Sequence, residues 1–183
     1  NTLMKAYGFN HAGGPEVFTE YEVDTPTIKA DQVLIKTIAV GLNNYDRGER
    51  AGDFMPINGQ RIPGKDVVGT VTEVGSEVAD IKVGDLVAAQ ANHANAEYVA
   101  AKQDSVSKVP QGVSPVEAAG IITPGSTAYK ILKVFGEVQA GQTGIVKGAS
   151  GGVGSIAAQL AVGLGAKVIG IASSTHEAEV KAY

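Results

Sequence analysis

The 183-residue chain contains no cysteine. That absence removes disulfides, thiol nucleophiles and every thiolate zinc site at once. Histidine is scarce as well: His11, His93 and His176 lie far apart in sequence, in expected loops or at a helix start, without the spacing of a metal-ligand set. No run is long and apolar enough for a membrane-spanning helix, and the first residues carry no signal-peptide pattern, so the expected location is the cytoplasm and no membrane partner is expected. Fifteen basic residues against nineteen acidic ones give a net charge of −4, and the lysines are scattered, which leaves no electrostatic footprint for nucleic acid. Internal repeats, low-complexity tracts and long linkers are absent too. What remains is a chain with 44% hydrophobic residues, long enough to bury the core of one or two globular domains.

One stretch organises the rest. Thr143 to Thr175 reads as an apolar strand from Ile145, a glycine turn, a helix with apolar residues at Ile156, Leu160 and Leu164, and a second strand from Lys167. This is a βαβ unit, the setting that a glycine-rich dinucleotide loop requires. The loop is Ala149-Ser150-Gly151-Gly152-Val153-Gly154. Gly151, with no Cβ, lets backbone approach a pyrophosphate, and Gly154 lets the helix pack closely on its strand. Free N–H groups at the helix start then face the phosphates, where the helix dipole favours negative charge. Ala149 stands where the GxGxxG pattern has its first glycine.

At the end of the second strand, where NAD-binding folds carry an acid for the ribose hydroxyls, the chain has Ala172-Ser173-Ser174-Thr175. Small hydroxyl residues leave room for a 2′-phosphate and can donate to it, which favours NADP(H) as cofactor. Only His176 or Lys181 could add charge there, and Glu177 lies between them. The alternative for this segment is a serine-rich helix start.

Ahead of this unit the pattern is β. Strands are expected at Leu3 to Phe9, Val17 to Val23, Val33 to Val40, Val67 to Val74, Leu86 to Ala89 and Ala96 to Ala100, separated by Gly, Pro and Asp turn signals. Many short strands at this spacing predict a closed β domain. Gly41 to Gly48 interrupts the alternation and predicts a short helix. Ser114 with Glu117 three residues later forms a capping box that opens a brief helix, and a second helix is expected from Ser126 to Phe135. The domain boundary is expected near Gly120 to Ser126, giving residues 1–122 and 123–183.

The order of these motifs resembles the medium-chain dehydrogenase/reductase superfamily, and most closely its zinc-free quinone oxidoreductase branch. The resemblance rests on Met4-Lys5-Ala6 followed by Gly13-Gly14-Pro15-Glu16-Val17, on Gly41-Leu42-Asn43 with Asp46, and on Pro63-Gly64 with Asp66 and Gly69. It continues through Val74-Gly75-Ser76, Val83-Gly84-Asp85, Thr127-Ala128-Tyr129 and Gly148 to Gly154. The fold it implies is α/β with a β-rich part: a GroES-like β-barrel catalytic domain, then a Rossmann doubly wound parallel sheet that binds NADP(H), with the nicotinamide between them. A Rossmann sheet has about six strands. This chain shows two before Tyr183, so it is expected to be part of a longer enzyme, homodimeric as many members are.

The zinc alcohol dehydrogenases of the superfamily place a cysteine at Asn43, a histidine at Lys65 and a thiolate or acid near Thr123; none is present. Without a metal to polarise a carbonyl, quinones and conjugated enones are the substrates the resemblance implies, because their acceptor carbon is already electrophilic. It also implies that Asn43 lies near the nicotinamide and that Thr127 contacts the cofactor. Tyr45 is the candidate to hydrogen-bond or protonate the substrate oxygen. The same residues admit structural roles: Asn43 as a helix cap, Tyr45 as a core aromatic, Asp46 as partner of a Lys or Arg, and Lys65 as a solvated loop charge. Two other readings stand beside the reductase: a truncated GroES-like binding or oligomerisation module, and a zinc-type alcohol dehydrogenase.

Overall fold

The computed structural model describes residues 2–183, and Asn1 lies outside the described residues. Two compact units follow one another along the chain, the first ending at Ile122 and the second spanning Thr123–Tyr183.

In the first unit, β1 (Leu3–Gly8) and β2 (Thr19–Asp24) form an antiparallel hairpin. β2 begins two residues later than its sequence pattern predicts, because Pro15 opens a 3-10 turn, Pro15–Val17, that draws Val17 into the core. The main sheet contains β3 (Gln32–Gly41), β4 (Asp66–Val74), β5 (Leu86–Gln90), β6 (Tyr98–Lys102) and β7 (Val106–Lys108) in the antiparallel order β6-β3-β4-β5-β7. The expected closed barrel is not formed by the described strands: the hairpin is a separate two-stranded sheet, joined to the rest of the unit by the single bridges Ala6 to Ala96 and Phe9 to Arg61 and by packing of Met4 and Ala6 on Ala96, Ile62 and Tyr98. Two register shifts in the β3–β4 pairing bend the sheet instead. Val33, Ile35, Val67, Val71, Val87 and Val99 fill its core, in keeping with the preference of β-branched residues for a packed pleated surface.

Between β3 and β4 lies α1 (Asn44–Ala51), which ends on Gly52 in the left-handed conformation, φ 79°. α2 (Pro115–Tyr129) starts at the predicted capping box: the Ser114 N–H donates to Glu117 Oε2 at 3.0 Å, and the Glu117 N–H donates to Ser114 Oγ at 3.2 Å. The two short helices expected here are one continuous helix, extended by a π-helical turn, Lys130–Phe135. Pro124 does not end it, because packing on both sides outweighs the hydrogen bond it cannot make. Ala118 and Ala119 are buried in one cluster, Ala128 and Leu132 in another.

The second unit is the βαβ motif: β8 (Thr143–Lys147), α3 (Gly152–Gly163) and β9 (Lys167–Ile171), with the strands parallel and in register from Thr143 with Lys167 to Lys147 with Ile171. The most deeply buried residues of α3 are not its large apolar side chains, although Ile156 packs against the same core. Ala157, Ala158 and Ala161 are buried and Leu160 is exposed, since small side chains let the helix lie close to its neighbours. A 3-10 turn, Ser174–His176, leads into α4 (Glu177–Lys181).

Candidate active site

In the glycine loop the turn is made by Gly148, φ 71°, one residue before the position the sequence pattern marks. Ala149 is fully buried, and its N–H donates to the Ile171 carbonyl at 3.0 Å, beside the 2.9 Å bond from the Gly148 N–H to the same oxygen. The loop is thereby tied to the end of β9. Gly151 is the N-cap of α3, and a Cβ placed on it would meet only the Gly148 carbonyl oxygen, at 3.3 Å. At Gly154 a Cβ would lie 2.0 Å from that same oxygen, so the helix start can lie this close to the turn only with glycine there. Ser155 makes the first intrahelical bond, to the Gly151 carbonyl at 2.9 Å, leaving the N–H groups of Gly152, Val153 and Gly154 in the turn whose donors have no intrahelical acceptor. No acidic side chain occupies that first turn. Ser150 and Val153 flank the loop half-buried.

Past β9, Ser173 and Ser174 are both exposed, and the Ser173 and Thr175 hydroxyls lie 2.9 Å apart. The two side chains that could add positive charge to this segment face carboxylates of α4: Lys181 pairs with Glu177, and the His176 ring lies 3.2 Å from Glu179. Thr127 is half-buried on α2, within the second unit.

In the first unit, Asn43 and Tyr45 share the start of α1. Asn43 is the N-cap, as its structural alternative anticipates, and its backbone N–H donates to Asp46 Oδ2 at 2.8 Å. Its side chain does something the sequence does not disclose: Nδ2 donates to Asp66 Oδ2 at 2.9 Å. Asp66 is fully buried, the one charged or polar residue in that class among the described residues. An aspartate opening a run of core valines is the signal that could have singled it out. Asp46 forms no salt bridge with a Lys or Arg among the described residues. Burial raises its carboxyl above the usual range, the nearby Asp66 adds to this, and the Asn43 N–H opposes it. Its Oδ1 is buried without a hydrogen-bond partner.

Tyr45 is not a core aromatic. It is 46% exposed, stacks on Phe54 with ring centroids 5.0 Å apart, and has the Lys65 ammonium 5.6 Å from its ring centre. Lys65 also donates to Asn92 Oδ1 at 2.8 Å. Among the described residues no three His, Cys, Asp or Glu side chains converge in a group that could hold a metal ion, and no helix is long and apolar enough to cross a membrane.

A parallel βαβ unit with a glycine turn between strand and helix is the local architecture on which dinucleotide-binding folds are built. The model of the alcohol dehydrogenase GroES-like domain matches residues 29–163. The chain belongs to that family, in the quinone oxidoreductase-like branch of the medium-chain dehydrogenases/reductases. It is 36% identical over 191 residues to the NADPH-dependent alkenal/one oxidoreductase, chloroplastic, of Arabidopsis thaliana, covering 97% of this chain and 49% of the relative. It is 36% identical over 180 residues to the quinone oxidoreductase of Homo sapiens, covering 94% of this chain and 54% of the relative. Among solved structures, the Escherichia coli quinone oxidoreductase complexed with NADPH superposes with a TM-score of 0.85 at 29% identity, over 97% of this chain and 56% of that one. The chain spans about half the length of the curated relatives it matches.

Proposed function

We propose that the protein is an NADPH-dependent, metal-free oxidoreductase that reduces quinones or conjugated enones. The observation that carries this reading is the glycine turn after β8, in which Gly154 permits a helix start so close to the Gly148 backbone that any side chain would collide with it. Relatives named as quinone and alkenal/one oxidoreductases support it.

The residues present fit the cofactor. Gly151 leaves a cradle that a larger side chain would fill, and the first-turn N–H groups of Gly152, Val153 and Gly154 would hold the pyrophosphate. Ser173 and Ser174 would donate to the 2′-phosphate, with no carboxylate at the strand end to repel it. Thr127 and Asn43 would contact the cofactor toward its nicotinamide end. NADPH, when bound, supplies the hydride.

Tyr45 acts on the substrate. Its hydroxyl donates to the carbonyl oxygen on which charge develops as the acceptor carbon is reduced, and the stack with Phe54 fixes the ring's orientation. The Lys65 ammonium near that ring favours negative charge in its vicinity. The absence of cysteine, and of the zinc ligands at positions 43 and 65, supports chemistry without a metal. A cytoplasmic location and a homodimer complete the proposal.

The test is turnover of the protein at its natural length with NADPH and a quinone or enone, before and after dialysis against a chelator. Turnover that survives chelation, with NADPH bound more tightly than NADH, is the expected result. Loss of activity on chelation, or tighter binding of NADH, would overturn the corresponding part.

A further inference from the structure

We propose that Asp66 and Asp46 are positioning residues that hold Asn43 from two sides, Asp66 through the side-chain amide and Asp46 through the backbone N–H. The proposal rests on the reading that Asn43 contacts the cofactor near its nicotinamide.

Three observations carry it. The first is the pair of hydrogen bonds: Asn43 Nδ2 to Asp66 Oδ2 at 2.9 Å, and Asn43 N to Asp46 Oδ2 at 2.8 Å. Together they fix the backbone and the amide orientation of one residue. A carboxamide whose NH2 group is claimed by a carboxylate cannot flip without losing a charge-assisted bond.

The second is where Asp66 sits. Removing a carboxylate from water is expensive, and a valine would close this part of the core more cheaply, as Val67 and Val68 do immediately after it. A buried acid aimed at a loop residue 23 positions away is accounted for by what it holds.

The third is the path its side chain takes. Gly41 is the cross-strand partner of Asp66 in the β3–β4 register. A Cβ on Gly41 would lie 2.9 Å from Asp66 Cβ, 3.2 Å from Asp66 Oδ2 and 2.3 Å from the Ala119 carbonyl oxygen. The missing side chain at 41 opens the lane through which the carboxylate reaches Asn43, two residues further along. Asp46 faces the same place from α1, with Asp66 and Lys65 as its charged neighbours.

A double-mutant cycle tests this on the protein at its natural length, read by kcat, KM, NADPH affinity and thermal midpoint. Asn43→Ala is expected to lower kcat/KM about tenfold or more. Asp66→Ala should lower it by a similar factor, and the double variant should fall no further than Asn43→Ala alone, because Asp66 acts through Asn43. Asp66→Asn keeps an acceptor oxygen and should restore most of the loss. If Asp66→Ala does not fold, Asp46→Ala, at a half-buried position, enters the same cycle.

The outcomes separate the two ideas. An Asn43→Ala protein with unchanged turnover removes the role of Asn43 and this proposal with it. An impaired Asn43→Ala protein whose defect multiplies with that of Asp66→Ala leaves the role of Asn43 standing and overturns the positioning. So does an Asp66→Ala protein that is only less stable, with unchanged kcat/KM.

Discussion

Replacing Gly154 by alanine should damage the second unit in a way that replacing Gly151 does not. The Cβ introduced by Gly154→Ala would stand 2.0 Å from the Gly148 carbonyl oxygen, about 1.4 Å short of an ordinary contact, and the obstructing atom is backbone, with no rotamer to yield. Relief requires the start of α3 to move away from the Gly148 turn by about 1 Å, and overpacking of this kind costs about 1–3 kcal/mol. Alanine's better helix propensity returns at most about 1 kcal/mol, so the clash wins. The same displacement would stretch a hydrogen bond of about 2.9 Å, from a first-turn N–H to a phosphate oxygen, beyond bonding range. Losing one such charge-assisted bond, worth about 1.5–3 kcal/mol, weakens NADPH at least about tenfold. At Gly151 the added Cβ meets the same oxygen at 3.3 Å, tight by only a few tenths of an ångström, and φ is an ordinary −78°. Gly151→Ala should therefore keep a near-native thermal midpoint and lose NADPH affinity alone. Thermal unfolding and NADPH titration by fluorescence quenching measure both. A Gly154→Ala protein with native midpoint and native affinity would refute the close-packing argument, and a Gly151→Ala protein that binds NADPH normally would refute the cradle.

Other perturbations have equally definite outcomes. Ser114→Ala removes the side-chain acceptor at the start of α2 and should cost about 1 kcal/mol, seen as a lower thermal midpoint. Ile35→Ala, at a fully buried position in the main sheet, should cost about 2–5 kcal/mol in denaturant unfolding. For Asp46, burial raises the folded carboxyl above its unfolded value of 3.8, so the native state binds more protons in the interval above 3.8, and stability falls as pH rises through it. Asp46→Asn should flatten that slope in midpoints measured across the acid range. A slope unchanged by the substitution would place its cause elsewhere.

Local signals were legible in the sequence, and contacts between distant residues were not. The βαβ unit announced itself because an apolar strand, a glycine cluster and a second strand fall within one short stretch, and the Ser114–Glu117 box marked its helix start because both partners lie within one turn. The extent of α2 was hidden by Pro124, whose local preference for a break is overridden by alanines buried on either side. The turn-making role of Gly148 was not legible because the pattern points to Ala149, yet the positive φ falls one residue earlier. The bond from Asn43 to Asp66 joins two segments through sheet register, which no periodicity encodes. Tyr45 illustrates the same limit, since whether a tyrosine is core or surface depends on what covers it, and here Phe54 and Lys65 lie against the ring while nearly half of the residue stays open to solvent.

The alanine face of α3 works as a spacer gauge. With Ala157 and Ala161 set against Ala128, Leu132 and Ala166, the distance of the helix from its surroundings is set by methyl groups, the smallest side chains available after glycine. The alanines of α3 have no rotamers with which to absorb an added carbon, so an enlargement at Ala157 or Ala161 presses the helix outward and carries its N-terminus along. Affinity for an anion at one end of α3 is in this way mechanically tied to side-chain volume a turn or two further down. Substitutions that never approach a ligand can detune the loop as effectively as changes to its glycines.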